Sequence, residues 1–272
     1  MNPMYAKPNK EEMTNIEFDI DRLMQEWRIN GFVVFEDFIP LETIDRIRQA
    51  WVSIRNNGIE KQGQSGNRGG YRYNVRVPFE SPFVDEDIFE HPALVDFLER
   101  VLGSDYVWSH FDSNIPLPNA DYQHWHRDCQ LLFPKLMTPA FQVGVKFPLV
   151  DTHEGNGSFE VIPCTQYVAD EDLQSELDDV LGPGVNRRPQ YHPIRLNLKK
   201  GSLWVQDGRA YHRGTPNRSD RPRDELCMAF CRPWVFNNWL HEYTESHLPR
   251  KLWDGLSSHA QHVLRWQRVK KP

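Results

Sequence analysis

"GSLWVQDGRAYHRGTPNRSDRPRDELCMAFCRPW" spans residues 201–234. Its ends are two short apolar runs, GSLWVQ and ELCMAFCRPW, of the kind that suits a pleated backbone. Between them lies a stretch of Gly, Asp, Pro, Asn and Ser, the residues that turn a chain. The same pattern recurs upstream in YVWSHF (106–111), AFQVGVKFPLV (140–150), GSFEVIP (157–163) and HPIRLNL (192–198). Short strands at this spacing indicate a sandwich or a barrel.

The chain ahead of these strands reads differently. DIDRLMQEWRING (19–31) is amphipathic and stops at Gly31, a helix C-terminus. FVVFEDFI (32–39) is rich in β-formers, and PLETIDRIRQAWVSIRNNG (40–58) restarts a helix with Pro40 at its first turn. HPALVDFLERVLG (91–103) is a further amphipathic helix closed by Gly103. Helices gathered before a run of strands predict an α+β protein, its helices packed on a β-sandwich. By composition KQGQSGNRGG (61–70) is a flexible loop. ADEDLQSELDDVLGPGVNRRP (169–189) reads as an acidic, helical and then loop-like insertion between strands.

Composition narrows the class. With 272 residues, 39% hydrophobic and 12% aromatic, the chain can build a core. The net charge of −6, with both signs interspersed, argues against a nucleic-acid binder. No run of apolar residues spans a bilayer and the N-terminus has no apolar signal core, so a cytoplasmic location is expected. The four cysteines, Cys129, Cys164, Cys227 and Cys231, form no CxxC pair and read as free thiols.

Ligating chemistry concentrates at HWHRD (124–128). If the stretch is extended, His124, His126 and Asp128 point to one side. Two His and one carboxylate on one face of a metal leave the opposite positions open, the arrangement that suits non-haem Fe(II) oxygenases. His212, after the strand and tight turn of GSLWVQDGRAY, is the candidate third ligand. An HxD pair alone is a weak signal: His110 and Asp112 form a second one, and Asp151 and His153 a reversed one. What shifts the balance is Arg223, eleven residues after His212 and at the start of the last strand. Arginine is the side chain best shaped to grip a carboxylate through two N–H groups.

WHRDCQLLFP (125–134), NGSFEVIP (156–163), GSLWVQDGRAYHRGTPNRSDRPR (201–223) and RINGFVVFEDFI (28–39) together resemble the phytanoyl-CoA dioxygenase family of Fe(II)/2-oxoglutarate oxygenases. The resemblance runs from Ile16 to Trp234. It implies a double-stranded β-helix (jelly roll) flanked by N-terminal helices. A tail of residues 1–15 would precede a single oxygenase domain, 16–272, with its core at about 104–236 and a C-terminal extension from 237. By this resemblance His126, Asp128 and His212 bind Fe(II), and Arg223 binds the distal carboxylate of 2-oxoglutarate, O2 being the co-reactant. His110 falls to a supporting or structural role, and His124 is not a ligand position in the family. Because Asp128 is a carboxylate rather than Gly or Ala, oxidation is implied rather than halogenation.

The sequence departs from the family at VIPCTQ, where Cys164 and Gln166 replace a small residue and a histidine, and at Lys146, where an aromatic is common. Lys146 shares a strand face with Gln142, opposite Val143, Val145 and Phe147. It points either to solvent or into the cavity, to a carboxylate of cosubstrate or substrate.

Upstream, NRGGYRYNVRVPF (67–79) reads as a strand with Arg72, Asn74 and Arg76 on one face, suited to an anionic or zwitterionic substrate. The expected activity is oxidation of a small, polar, carboxylate-bearing metabolite of secondary metabolism, with release of succinate and CO2. The alternative is a cupin-like metal-dependent isomerase or hydrolase that does not use 2-oxoglutarate. The expected partner is the small-molecule substrate, with neither nucleic acid nor membrane. The Trp- and His-rich segment after Trp234 could be a lid, a homodimer contact or packing.

Overall fold

The computed structural model describes residues 17–63, 69–129, 131–133, 135–169, 173, 177, 191–235 and 247–270. The tail 1–15 lies outside them, as do residues 64–68 of the loop 61–70 and most of the insertion 169–189.

Helix α1 (Ile20–Asn30) begins at Asp19, whose carboxylate accepts from Arg22 N–H at 3.0 Å, and ends at Gly31 in the left-handed region at φ 77°. Both signals act within a turn of the chain and were legible in the sequence. Strand β1 (Phe32–Phe35) leads to α2 (Leu41–Gln62), which does not stop at Gly58. A Cβ at Gly58 would meet Val75 Cγ1 at 2.5 Å, so the glycine admits a close neighbour and the helix continues. Lys61 and Gln62 therefore belong to the helix, not to a loop. Strand β2 (Arg72–Tyr73), α3 (Glu86–Phe89) and α4 (Pro92–Leu102) complete the N-terminal part.

The remaining strands are β3 (Val107–Pro116), β4 (Gln142–Pro148), β5 (Phe159–Val161), β6 (Ile194–Leu196), β7 (Leu203–Asp207), β8 (His212–Arg213) and β9 (Glu225–Cys231). They form a mixed α and β architecture with two antiparallel sheets. The major sheet has six strands in the order β1-β7-β4-β9-β3-β2, and the minor sheet three, β6-β5-β8.

Alternation divides the major sheet's faces, as a period of two requires. Val33, Phe35, Val143, Val145, Phe147, Leu203, Val205, Leu226, Met228 and Phe230 enter the principal core. Helices α1, α2 and α4 cover it with Trp27, Ile44, Ile47, Trp51, Leu94 and Phe97. The other face meets the minor sheet: Phe32 and Trp204 share a second apolar cluster with Phe159, Val161 and Leu196. The hollow between the sheets is the setting for the polar residues.

The C-terminal segment packs against this body. Strands β10 (His247–Leu248) and β11 (Arg268–Val269) pair in parallel, with α5 (Arg250–Gly255) and α6 (Ser258–Val263) between them. Leu248, Leu256, Ala260, Val263 and Leu264 join the principal core, and Gln267 donates to the Trp108 and Ser109 carbonyls at 2.8 and 3.1 Å. Among the described residues this segment is packing. No helix among them is long and apolar enough to cross a membrane.

Candidate metal centre

The HxD pair does not lie on a regular strand. His126 makes an isolated antiparallel bridge with His212 of β8, each backbone N–H donating to the other's carbonyl at 3.1 and 3.0 Å. That bridge, anchored by the buried Trp125, places the pair beside the third histidine. Ligand atoms of His126, Asp128 and His212 all lie within 4.8 Å of one another.

The backbone orients both imidazoles. His126 Nδ1 is 2.8 Å from the His124 carbonyl, which leaves Nε2 for a ligand. Exposed His124 contributes that carbonyl and stands outside the triad. His212 Nδ1 faces the Ala210 carbonyl at 3.2 Å and the Gln206 amide at 2.6 Å, while its Nε2 is 3.5 Å from Asp128 Oδ1. Burial pushes the His212 pKa well below the usual imidazole value, the neutral state a metal ligand needs.

Lys146 points into the hollow. Its Nζ lies 2.5 Å from Gln206 Oε1 and 3.3 Å from Asp128 Oδ2, with the Trp204 ring centroid at 4.4 Å. Burial alone would raise the Asp128 pKa, but the Lys146 ammonium and the two imidazoles outweigh it and hold the carboxyl well below its ordinary range. Asp128 in turn raises the Lys146 pKa against the pull of burial. Gln206 thus bridges Lys146 and His212. The sequence reading did not single it out, although its alternation with Trp204 in GSLWVQ put both on one face.

Arg223 is fully buried, unlike Arg218 and Arg221, whose side chains are 64% and 82% exposed. Its Nη2 donates to the Gly157 carbonyl at 3.0 Å, while Nε and Nη1 have no hydrogen-bond partner. The nearest carboxylate is Glu225, whose Oε2 is 3.4 Å from Nη1. Glu225 is itself buried, and burial raises its pKa against the opposing pull of Arg223 and Lys146. Two N–H groups of a buried guanidinium without acceptors are an expensive arrangement that an incoming carboxylate would relieve.

Arg72 stands close by. Arg223 N–H donates to the Pro116 carbonyl, and Pro116 is opposite Arg72 in the β2–β3 register. The Arg72 guanidinium donates to the Asp121 carbonyl at 2.7 Å and to the Thr215 carbonyl, leaving Nη1 unpartnered. Burial and the neighbouring Arg223 push its pKa down to about 9, which leaves it charged at neutral pH. The expectation for this stretch therefore divides. Arg72 is buried beside Arg223, whereas Asn74 and Arg76 are only half-buried.

The other pairs raised by the sequence stand apart from the triad. His153 and Asp151 belong to a turn closed by Asn156, and His110 lies on β3 with Nδ1 3.0 Å from Ser109 Oγ. All four cysteines are free. Among the described residues, the only group of His, Cys, Asp and Glu side chains able to hold a metal ion is His126, Asp128 and His212.

Comparison with known proteins agrees with this geometry. The model of the family described as phytanoyl-CoA dioxygenase matches residues 27–224. Dioxygenase af480 of Aspergillus fumigatus is 26% identical over 198 residues, covering 70% of this chain and 58% of that protein. The chain thus spans less than two thirds of that relative's length. Among solved structures, AviO1 from Streptomyces viridochromogenes Tue57 aligns with a TM-score of 0.60 at 16% identity, over 82% of this chain and 99% of that one. The epimerase SnoN, solved in complex with Fe3+, alpha ketoglutarate and nogalamycin RO, aligns with a TM-score of 0.57 at 15% identity, over 78% and 83%. At these identities the structural likeness speaks for the fold.

Proposed function

The chain belongs to the phytanoyl-CoA dioxygenase family, and from that premise we propose that it is an Fe(II)/2-oxoglutarate-dependent dioxygenase. Its substrate on this reading is a small, polar, carboxylate-bearing metabolite of secondary metabolism. The major and minor sheets are read as the two faces of a double-stranded β-helix, the core of a single oxygenase domain. Action in the cytoplasm belongs to the same proposal, supported by the free thiols.

The observation that carries the reading is a His-Asp-His ligand set and a buried guanidinium with unpartnered Nε and Nη1 packed around one ring, Phe159, which Arg223, Lys146 and His212 all meet. His126, Asp128 and His212 would hold Fe(II), the donor set of two imidazoles and one carboxylate being the one that suits non-haem iron oxygenases. Arg223 would grip the distal carboxylate of 2-oxoglutarate, with Arg72 adding positive potential behind it. Lys146 serves the cosubstrate indirectly, by fixing the direction of Asp128. Iron, 2-oxoglutarate and dioxygen supply the oxidising chemistry, with succinate and CO2 as coproducts. The apolar walls of Phe159 and Trp204 exclude water, and Asn74 and Arg76 are the proposed contacts for the substrate's polar end. The carboxylate ligand favours hydroxylation or a related oxidation over halogenation.

The cupin-like alternative needs no cation at Arg223, and the buried Arg72 and Arg223 side by side weigh against it. Anaerobic addition of Fe(II) and then 2-oxoglutarate, followed in the visible, separates the two. A weak band that saturates with 2-oxoglutarate is expected. Tight iron binding with no such band would favour the isomerase or hydrolase, and no iron binding would remove the metal assignment.

A further inference from the structure

Glu225 begins β9 and projects between the two sheets, because its neighbour Leu226 enters the principal core. Arg223 lies two residues back, and both side chains are buried. The two charges nevertheless do not close into a hydrogen bond. Glu225 Oε2 is 3.4 Å from Arg223 Nη1 and 3.4 Å from Trp204 Nε1, while Oε1 has no hydrogen-bond partner. Arg223 Nε and Nη1 likewise have none. Phe159 packs on the same group of side chains, its ring 4.9 Å from the Arg223 guanidinium and 5.4 Å from the Trp204 ring. A buried carboxylate and a buried guanidinium thus stand side by side, and neither satisfies the other. Such a pair carries the cost of desolvation with little of the return.

The groups around Glu225 come from every element packed on it. On β9 itself, Cys227 shares the face of Glu225, and burial pushes its thiol well up, so it stays protonated. Asp224 faces the other way and is held at 2.6 Å by Arg55 of α2. Strand β4 places Pro148 opposite Glu225 and Lys146 opposite Cys227. Strand β3 places Asn114 opposite Glu225 and Asp112 opposite Cys227. Strand β7 supplies the Trp204 N–H, and β5 supplies Phe159. Arg72 of β2 acts at one remove, on the charge of Arg223.

Two forces compete over the Glu225 carboxyl. Burial raises its pKa, and Arg223 opposes that most strongly, followed by Lys146 and the Trp204 N–H. A carboxylate arriving at Arg223 would cancel the strongest opposing charge. It would also bring a like charge close to Glu225, and both changes favour the neutral acid.

We propose, resting on the oxygenase reading, that Glu225 is a positioning residue for Arg223 and takes up one proton from solvent as 2-oxoglutarate binds. Before that, the ionised carboxylate balances the guanidinium. Afterwards the proton sits on a Glu225 oxygen, no other bond changes, and the cosubstrate has the cation to itself. Around neutral pH the other buried groups keep their charge: Lys146 and Arg72 stay protonated, and the Cys227 thiol cannot gain a proton. Binding coupled to proton uptake weakens as pH rises, by up to about tenfold per unit.

Calorimetry of 2-oxoglutarate binding to the anaerobic Fe(II) protein, repeated in buffers of differing ionisation enthalpy, counts the protons exchanged. Wild type is expected to take up a fraction approaching about one proton, with a dissociation constant that rises with pH. Glu225→Gln keeps the shape of the side chain but cannot ionise. It is expected to bind without that uptake, with a flat pH profile and at least about tenfold more tightly near pH 8. A merely structural carboxylate would leave the uptake unchanged and, once replaced, loosen binding at every pH. Circular dichroism checks that the variant folds, and the wild-type buffer series decides the matter without it. Binding with no proton uptake in the wild type, unaltered uptake in Glu225→Gln, or weaker binding by that variant at every pH overturns the proposal. Absence of 2-oxoglutarate binding in the wild type would overturn the oxygenase reading along with it, whereas binding without uptake leaves that reading intact.

Discussion

Lys146 and Asp128 form an ion pair of 3.3 Å inside the hollow, between a side chain 7% exposed and one 30% exposed. The lysine is further fixed by Gln206, which also touches His212. One cation therefore orients the carboxylate of the proposed ligand set and, through an amide, one of its histidines as well. Partners of this kind, behind the ligands themselves, typically account for about 10–100-fold in metal affinity or activity. Lys146→Met is expected to weaken Fe(II) binding within that range in anaerobic titration. Unchanged affinity would mean that the bridge between His126 and His212 positions Asp128 without help.

The same pair predicts a pH dependence. The Asp128 pKa is depressed in the folded protein. Its contribution to stability is thus fully present above the unfolded carboxylate value, about 4, and is lost as pH falls through the lower folded value. Urea midpoints of the metal-free protein should fall faster between about pH 4 and 2 for the wild type than for Asp128→Asn. Because the carboxylate is partly exposed, the coupling in a double-mutant cycle with Lys146→Met should be modest, about 1 kcal/mol. Parallel pH profiles for wild type and variant would show the pair to be energetically silent.

Arg223→Ala is expected to raise the 2-oxoglutarate concentration for half-saturation by about 10–100-fold, the worth of a hydrogen bond to a charged group. Fe(II) affinity should change little, since the guanidinium is not part of the proposed ligand set. Succinate release against 2-oxoglutarate concentration and an anaerobic iron titration separate the two effects. A normal saturation curve would transfer the carboxylate to Arg72.

Gly157 links the minor sheet to that arginine. It sits at φ 87°, a Cβ there would lie 2.9 Å from the Thr215 carbonyl, and its own carbonyl accepts from Arg223 Nη2. Gly157→Ala should therefore destabilise the fold by about 1–3 kcal/mol through strain and loosen 2-oxoglutarate binding together with it. Denaturation and saturation curves measured on one preparation would check this. A stability loss with intact saturation would make the glycine purely structural.

Much of this arrangement was legible along the chain. Helix α1 was marked at both ends by local capping, and alternation put Lys146 on the face of β4 opposite Val143, Val145 and Phe147 but left open whether that face met solvent or the interior. Other features depended on neighbours that the sequence does not reveal. HWHRD is extended only at its bridge to His212, so its strand-like reading failed while its ligand spacing held. Gly58 reads as a helix stop until Val75 is seen against it. Arg72 and Arg76 alternate to a shared face, yet one is fully buried beside Arg223 and the other only half-buried.

By itself the sequence determined which side chains share a face and which chemistry they carry, because a period of two is a property of the backbone. Only the tertiary structure decided the partnerships: His212 with His126, Lys146 with Asp128, Gln206 with both Lys146 and His212. Lys146 and Asp128 are 18 positions apart, and Lys146 and Gln206 are 60 apart. What brings them together is strand register, which is set by burying the apolar faces of both sheets and not by the residues that meet in the hollow.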